Sequence, residues 1–424
     1  HLLIQVENRR RPDRVPMHHF DWFNYGGLYR EVDLVPLPQI FLRDFRIAWR
    51  GGAIEVEVTL SDPVSAIAEV AIPELGIRRE IAVTDGRGIV TISASPDPWS
   101  PESPRLYDVS VECEGDRITE RVGLREIAVV GEQILLNGKP IYLRGVCVHE
   151  DDVDLGKTTS EADLRRRAAH AKELGCNMLR LAHYPHHERM AEIADEIGLL
   201  LWEEIPVYWA IDFSNPATYA DAENQLLELI IRDRNRASVI VWGVGNENAD
   251  TNARFFFMSR LAEVARGADP TRLISAACLI NRGTFRIDDR LADCLDIVGL
   301  NEYFGWYEPD LSLLERLLRN SRPGKPVVIT EAGADALAGH HGVATQLFTE
   351  EKQEDVHRQQ LMILDRVPYV RGYIPWLLYD FRTERRQTRF QQGYSRKGLI
   401  AEDKATKKRA FHLLAAHYRA ISEE

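Results

Sequence analysis

The chain has 424 residues, of which 45% are hydrophobic and 28% are charged, a composition typical of a globular protein of two or three domains. Its net charge of -12 argues against a nucleic-acid-binding protein, and without a run of about 18 apolar residues no membrane span is predicted. The cysteines are scattered, odd in number and without metal-ligand spacing, so we expect buried thiols in a reducing, cytoplasmic setting. Because the chain begins at His1 with no methionine and no signal peptide, we also expect a fragment or a processed chain.

Residues 1–37 contain two short runs typical of β-strands, 2–6 and 28–35, separated by a loop rich in arginine, proline and histidine. Two strands do not form a stable domain alone. We therefore expect this segment to pack on the rest of the chain through its apolar side chains, which are Leu2, Ile4, Val6, Phe23, Leu28 and Val32.

Residues 38–128 alternate between apolar and polar side chains with the period of a β-strand, for example over 53–60 and 107–113. Turn signals interrupt this pattern at 50–52 and 85–86. About seven short strands in such a segment predict an immunoglobulin-like β-sandwich, for which we expect a structural role.

From residue 129 to residue 424, apolar strand-like runs alternate with amphipathic helical runs. The predicted strands are 141–148, 177–182, 199–204, 239–245, 273–278, 297–301, 327–330 and 370–377. The predicted helices are 161–174, 187–197, 220–234, 255–266 and 350–366. Strand–helix alternation on this scale predicts a (β/α)8 TIM barrel.

Two of the predicted strands end in a glutamate beside small residues, Glu247 after the fourth and Glu331 after the seventh. The carboxyl ends of barrel strands meet at one mouth, where active sites are built, so both side chains should face the same cavity. Two carboxyl groups placed in this way suit an acid/base and nucleophile pair that cleaves glycosidic bonds. The alternative is that each glutamate caps a helix or pairs with a nearby arginine.

Other predicted strand ends carry histidine, tyrosine and tryptophan, in residues 180–187, 301–307 and 375–380. Aromatic faces stack on sugar rings, and polar side chains bind hydroxyl groups, so this mixture favours a carbohydrate. No Gly-rich phosphate loop or dinucleotide motif is present, and we expect no cofactor. A metal site made of His183, His186, His187 and Glu203 is an alternative, but without an HxH or HExxH motif we expect no metal.

With these residues the whole chain closely resembles glycoside hydrolase family 2, and within it the β-glucuronidases. The motifs that carry the resemblance are 21–30, 136–145, 180–185, 242–247, 301–307 and 329–333. The resemblance implies a jelly-roll sugar-binding domain, an immunoglobulin-like sandwich and the barrel. By this comparison residues 1–37 are remnant strands of the jelly roll, and most of that domain is missing.

The resemblance also implies the roles of individual residues. Glu247 matches the acid/base and Glu331 the nucleophile of a retaining mechanism, while Asn246 matches the residue that bonds the sugar 2-hydroxyl. Tyr303 matches the residue that bonds the nucleophile. The remaining substrate-binding candidates are Asp21, His183, Tyr307, Trp376, Arg396 and Lys397.

Two positions depart from the family pattern. Asn248 replaces the usual proline after the acid/base, which we interpret as a minor change in a loop. At residues 395–397 the sequence SRK replaces an Asn-x-Lys pair that grips the sugar carboxylate, so that the cation survives and the amide becomes a hydroxyl. A lysine can hold a carboxylate alone as a point charge.

We therefore predict an exo-hydrolase that releases a terminal β-D-glucuronosyl residue from a carbohydrate or glucuronide conjugate. The alternatives are a β-galacturonidase or a β-galactosidase of the same family, or a non-catalytic remnant that binds sugar. We expect no nucleic-acid or membrane partner, and a homo-oligomer is compatible with the sequence.

Overall fold

The computed structural model describes residues 2–422, and its first part lies along the barrel without forming β-structure. Neither predicted strand in residues 2–37 forms, because the runs 2–6 and 28–35 find no hydrogen-bonded neighbour among the described residues. Val15 and Trp22, both buried, attach the segment to the barrel. This corrects the expectation that Leu2, Leu28 and their apolar neighbours provide the contact, since those two side chains are 79% and 58% exposed.

Residues 42–122 form a β-sandwich. Its strands are β1 Leu42–Arg50, β2 Ala53–Leu60, β3 Ala66–Ile72, β4 Ile77–Val83, β5 Arg87–Ser93, β6 Tyr107–Cys113 and β7 Asp116–Val122. One sheet has the order β1-β2-β5 and the other the order β4-β3-β6-β7. Alternate side chains of each strand point inward, so Val56 and Val58 of one sheet share a core with Val70 and Val111 of the other.

A small antiparallel sheet, which the sequence did not predict, joins the sandwich to the barrel. It consists of β8 Ile127–Val130, β9 Gln133–Leu136 and β10 Lys139–Pro140. Ile134 and Leu136 belong to the same buried cluster as Leu143 and Ile297 of the barrel strands. The sheet therefore covers apolar barrel side chains that would otherwise face water.

Residues 143–373 contain a closed parallel barrel in which β11 pairs with both β12 and β18. Its strands are β11 Leu143–Val148, β12 Met178–Leu181, β13 Leu200–Glu204, β14 Val239–Asn246, β15 Leu273–Cys278, β16 Ile297–Asn301, β17 Val327–Glu331 and β18 Val370–Tyr373. All of the predicted barrel strands are present, and the TIM-barrel prediction is confirmed. A two-stranded sheet of β19 Phe381–Arg382 and β20 Tyr394–Ser395 follows them.

The α-helices surround the barrel. They are α1 Glu161–Leu174, α2 Arg189–Ile197, α3 Pro216–Asp233, α4 Asn252–Ala268, α5 Ser312–Asn320, α6 Glu350–Leu364 and α7 Arg409–Ser422. Local sequence defines α1 at both ends, with a Ser160–Asp163 capping box and Gly175 in the left-handed conformation. Between residues 2 and 422, every helix is too short or too polar to cross a membrane.

Candidate active site

A cavity of 590 Å³ opens at the carboxyl ends of the barrel strands. Its wall includes most of the site residues predicted from sequence, which are Asp21, Glu247, Tyr303, Tyr307, Glu331, Trp376 and Lys397. The two glutamates therefore share one cavity, and neither of them caps a helix. Asp21 lies in the N-terminal segment, far in sequence from the other lining residues, and the fold brings it to the cavity.

Glu331, the last residue of β17, is held by two donors. Arg180 Nη1 donates to its Oε1 at 2.9 Å, and the Tyr303 hydroxyl donates to its Oε2 at 2.7 Å. Arg180 is itself buried and also bonds both oxygens of Glu204. These contacts hold the Glu331 carboxyl group in one orientation, and the bond from Arg180 is charge-assisted.

Glu247 lies in a different environment. Its φ of 52° puts it in the left-handed region, which is unusual for a residue other than glycine. Trp209 Nε1 donates to Oε2 at 2.7 Å and Asn301 Nδ2 donates to Oε1 at 3.1 Å. Burial first, and then the negative charge of Glu331, raise the pKa of Glu247 to about 7.

A continuous polar network joins the two carboxyl groups. Asn246 Oδ1 accepts from Arg180 Nη2 at 2.8 Å and from Asn301 Nδ2 at 3.1 Å, so one amide links the donors of Glu331 and Glu247. The Asn246 Nδ2 group is buried and has no hydrogen-bond partner within residues 2–422. An amide donor left in this way has unused hydrogen-bonding capacity next to the cavity.

Two cations converge on one oxygen atom of the cavity wall. Lys397 Nζ donates to the Tyr307 hydroxyl at 2.8 Å, and Arg386 Nη1 donates to the same oxygen at 3.3 Å. Each cation also has its own acid, since Lys397 bonds Asp335 at 2.7 Å and Arg386 bonds Asp21. Burial disfavours the charge on Lys397, but the contacts with Asp335 and Tyr307 together outweigh burial, and the pKa of Lys397 is raised.

An aromatic wall closes the cavity near Glu331. Trp376 stacks on the His183 ring with centroids 4.8 Å apart. The His183 Nδ1 group donates to Glu204 at 2.7 Å, and its Nε2 lies 3.6 Å from Glu331 Oε1. His183 and Asn246 thus lie directly behind the cavity wall, where each contacts a residue or donor that lines the cavity.

Arg396, predicted to bind substrate with Lys397, lies outside the cavity, which corrects that prediction. Its guanidinium contacts Asp380 and Glu402 instead. The reason is geometric, because successive side chains of an extended segment point in opposite directions.

The histidines of the alternative metal site do not converge. His186 Nε2 bonds the Ala182 carbonyl at 2.9 Å, whereas His187 contacts Glu31. No group of three or more potential ligands forms anywhere in the described part of the chain.

Asn248 also differs from the prediction of a minor loop change. The residue is fully buried, and its Nδ2 donates to the carbonyls of Val207 at 3.3 Å and Trp209 at 2.8 Å. The sequence motif placed Asn248 next to Glu247, but it could not indicate which backbone groups the amide would meet.

The sequence analysis assigned no role to several residues of the site, namely Arg180, Glu204, Trp209, Asn301, Asp335 and Arg386. Arg180, Glu204 and Asn301 carry a usable signal, because each lies at the carboxyl end of a barrel strand. Trp209, Asp335 and Arg386 lie in loops, where no local pattern separates a site residue from a solvated one.

The fold and the carboxyl pair define a glycoside hydrolase barrel, and comparison with known proteins gives its family. The model of the glycosyl hydrolases family 2 TIM barrel domain matches residues 127–422, and the model described as glycosyl hydrolases family 2 matches residues 47–125. The chain belongs to glycosyl hydrolase family 2, and it is a β-glucuronidase-like glycosidase that acts on carbohydrate.

Individual relatives are similar along nearly the whole chain. A β-glucuronidase of Paenibacillus borealis is 30% identical over 437 residues, which cover 95% of this chain and 71% of the relative. A β-galacturonidase structure from Eisenbergiella tayi, bound to galacturonate, has a TM-score of 0.87 at 26% identity and covers 98% of this chain and 78% of its own. A β-glucuronidase structure from Ruminococcus gnavus with uronic isofagomine has a TM-score of 0.87 at 25% identity, with coverages of 97% and 76%.

Proposed function

We propose that this protein is a retaining exo-glycosidase that releases a terminal β-D-glucuronosyl residue, with Glu331 as nucleophile and Glu247 as acid/base. The observation that carries the proposal is the unequal environment of two carboxyl groups in one cavity. Arg180 and Tyr303 donate hydrogen bonds to Glu331, whereas burial and the neighbouring charge raise the pKa of Glu247 to about 7. A retaining mechanism needs one carboxyl group in each state.

In the first step, the ionised Glu331 attacks the anomeric carbon and the bond to the leaving oxygen breaks. Glu247 transfers its proton to that oxygen, so the aglycone departs as a neutral alcohol or phenol. A covalent glycosyl-enzyme remains, and the attacking oxygen of Glu331 has lost its negative charge. This loss of charge lowers the pKa of Glu247, which now acts as a base.

In the second step, Glu247 removes a proton from a water molecule that attacks the anomeric carbon. The bond to Glu331 breaks, the carboxylate of Glu331 returns, and Glu247 is protonated again. Two displacements at the same carbon retain its configuration. Arg180 is positioned to stabilise the carboxylate of Glu331 before the first step and after the second.

The surrounding side chains suit a pyranose ring. The unpartnered Nδ2 of Asn246 supports its assignment to the sugar 2-hydroxyl, because that amide otherwise stays buried and unsatisfied. Trp376 presents an aromatic surface to the cavity, beside the nucleophile. Such a surface stacks on the apolar face of a sugar ring.

The convergence of Lys397 and Arg386 on one oxygen supports a uronic acid. The Tyr307 hydroxyl occupies a point that receives hydrogen bonds from both cations, and a carboxylate oxygen suits such a point better than a neutral hydroxyl. In this proposal Arg386 makes one of the contacts with the sugar carboxylate that the family's asparagine makes and that Ser395 does not. Asp335 and Asp21 hold the two cations in place.

A panel of nitrophenyl β-glycosides tests the function. The wild-type chain should hydrolyse the glucuronide at least tenfold faster than the glucoside, galactoside, mannoside and arabinoside, measured as kcat/KM. Proton NMR of the first product should show the β-anomer of the released sugar. An inverted anomer would contradict the retaining mechanism, and a faster neutral galactoside would contradict the uronide.

A β-galacturonide is the second candidate, because a solved structure similar to this chain is a β-galacturonidase bound to galacturonate. The two uronides differ only in the configuration of the 4-hydroxyl group. Direct comparison of their nitrophenyl glycosides in the same panel separates the candidates.

A further inference from the structure

The loop of residues 205–209 is attached to the end of β14 at several points. Asn246 N donates to the Val207 carbonyl at 2.9 Å, and Trp209 N donates to the Asn246 carbonyl at 2.9 Å. The side-chain amide of Asn248 adds its bonds to the carbonyls of Val207 and Trp209 from the other side. The backbone of Trp209 is therefore bound through both its N–H and its C=O.

This attachment determines where the indole ring lies. Trp209 has a φ of 53°, in the left-handed region that few large side chains adopt without support. With the backbone in this conformation, its indole N–H donates to Glu247 Oε2 at 2.7 Å. The indole hydrogen bond to Glu247 thus lies at the end of a series of contacts that begins at Asn248.

The packing around Asn248 is shaped for an amide. A Cβ atom at Gly245 would lie 2.7 Å from Asn248 Oδ1, so the glycine leaves the space that the side chain fills. Asn248 Oδ1 is buried and accepts no hydrogen bond among the residues described. A buried acceptor without a partner costs stability. An apolar side chain of similar size would not have this cost, but it would also lack the donor that bonds the two carbonyls.

We propose that Asn248 is a positioning residue for the acid/base: it holds the backbone of Trp209 so that the indole N–H stays on Glu247 Oε2. The inference rests on the proposed role of Glu247 and deepens it. The indole and Asn301 each bind one oxygen of Glu247, which orients the carboxyl group toward the leaving oxygen.

The charged and titratable groups that face Glu247 come from several elements. Arg180 lies on β12, Tyr303 lies in the loop after β16, and Glu331 ends β17. Tyr208 precedes Trp209 in its loop. We expect these groups to keep their positions when Trp209 or Asn248 is changed. A donor on the carboxyl oxygen favours its ionised form, so loss of the indole contact should raise the pKa of Glu247 further.

The test compares the variants Trp209→Phe and Asn248→Leu with wild type. Both should move the basic limb of the kcat/KM–pH profile upward by about one pH unit, since a hydrogen bond to a charged group is roughly twice as strong as a neutral one. Both should also lose about tenfold in kcat/KM on an alkyl glycoside, and less on a nitrophenyl glycoside. Because the two residues act through one contact, the double variant should show no further shift.

The matched control is Asn235→Leu. Asn235 is another buried amide, which bonds the Phe45 carbonyl and the Ile47 N–H at the sandwich, and none of these residues lines the cavity. Its loss should lower the melting temperature and leave the pH profile unchanged. Asn248→Ser, which is a smaller change and retains one donor, should fall between wild type and Asn248→Leu.

A readout that needs no turnover is the fluorescence of Trp209, taken as wild type minus Trp209→Phe. This difference should titrate near pH 7 with Glu247, and the same difference measured in an Asn248→Leu background should lose the titration. If Trp209→Phe moves the limb and the titration survives without Asn248, the proposal is overturned. If neither variant moves the limb, the indole contact has no influence on Glu247 and the proposal is likewise overturned, whichever glycoside is hydrolysed.

Discussion

Arg180 donates a hydrogen bond from Nη1 to Oε1 of Glu331 at 2.9 Å, and this buried ion pair gives Glu331 a different environment from Glu247. Glu247 has no cation in hydrogen-bond contact among the described residues, and its partners are the neutral donors Trp209 and Asn301. The direct contact with a fixed positive charge is therefore made by Glu331 and not by Glu247. Burial and the charge of Glu331 raise the pKa of Glu247 to about 7, which is the asymmetry that an acid and a nucleophile in one cavity require.

Replacing the proposed nucleophile should abolish turnover. Glu331→Gln keeps the shape of the side chain but removes the attacking charge, so we expect kcat to fall by several orders of magnitude. The melting temperature should change little in comparison, because the amide oxygen can still accept from Arg180 or Tyr303. Steady-state kinetics on the best nitrophenyl glycoside and a thermal melt check both parts, and residual activity above about one per cent would contradict the assignment.

The pH profile should report the acid. In the proposed mechanism Glu247 is protonated for the first step, and burial raises its pKa to about 7, so kcat/KM for an alkyl glycoside should decrease as the pH rises above 7. Glu247→Gln should remove this basic limb. The same variant should retain far more activity on a nitrophenyl glycoside than on the alkyl glycoside, because a good leaving group needs little protonation. Equal losses on both substrates would argue against Glu247 as the acid.

Removing the cation at the cavity rim should change the choice of substrate. A hydrogen bond to a charged group contributes about 1.5–3 kcal/mol, so Lys397→Met should cost tenfold to over a hundredfold in kcat/KM on the glucuronide. The matched neutral glucoside should be nearly unaffected. Ser395→Asn, which restores the family amide, should raise glucuronide turnover.

Arg396→Met provides the matched control for this experiment, because the neighbouring side chain points away from the cavity. It should lower stability through the lost contacts with Asp380 and Glu402 and leave the ratio of glucuronide to glucoside activity unchanged. A loss of uronide preference in Arg396→Met would place the carboxylate elsewhere.

The buried Glu302 should make stability depend on pH. Its Oε2 accepts from the Phe304 N–H at 3.0 Å and from Gln360 Nε2 at 3.3 Å, and burial raises its pKa to about 8. The unfolded chain releases this proton near pH 4.3. Between these values the folded state holds a proton that the unfolded state has lost, so the free energy of unfolding decreases as the pH rises.

Glu302→Gln mimics the protonated carboxyl group and should remove that dependence. The variant and wild type should have similar free energies of unfolding at pH 5, where Glu302 is protonated. The variant should then become the more stable protein by up to roughly 1.4 kcal/mol for each pH unit toward pH 8. Denaturant titrations at pH 5, 6.5 and 8 measure this difference, and a constant difference across the series would contradict a neutral Glu302.

The N-terminal segment should contribute to stability through Trp22. Its ring is buried and contacts Tyr208 with centroids 5.0 Å apart. Trp22→Ala should cost about 3–5 kcal/mol, in line with other buried aromatic deletions. Leu34, which is 97% exposed, is the control, and Leu34→Ala should stay within about 0.5 kcal/mol of wild type.

The sequence by itself determined the layers of this protein and its central carboxyl pair. Buried barrel strands such as β14 and β17 are short apolar runs bounded by turns, and a residue at the end of such a run must lie at the mouth of the barrel. Glu247 and Glu331 could therefore be placed together before any coordinates were known. The sandwich strands were predictable for a similar reason, because one buried face imposes period two.

Only the tertiary structure decided the residues that make the two glutamates unequal. Arg180 meets Glu331 across the barrel, Trp209 meets Glu247 from the loop after the neighbouring strand, and Asn248 bonds backbone groups of that loop. Arg386 and Asp21 are 365 residues apart and form one ion pair. Such contacts depend on side-chain directions and loop paths, whereas a sequence pattern reports only the periodic burial of a strand or helix.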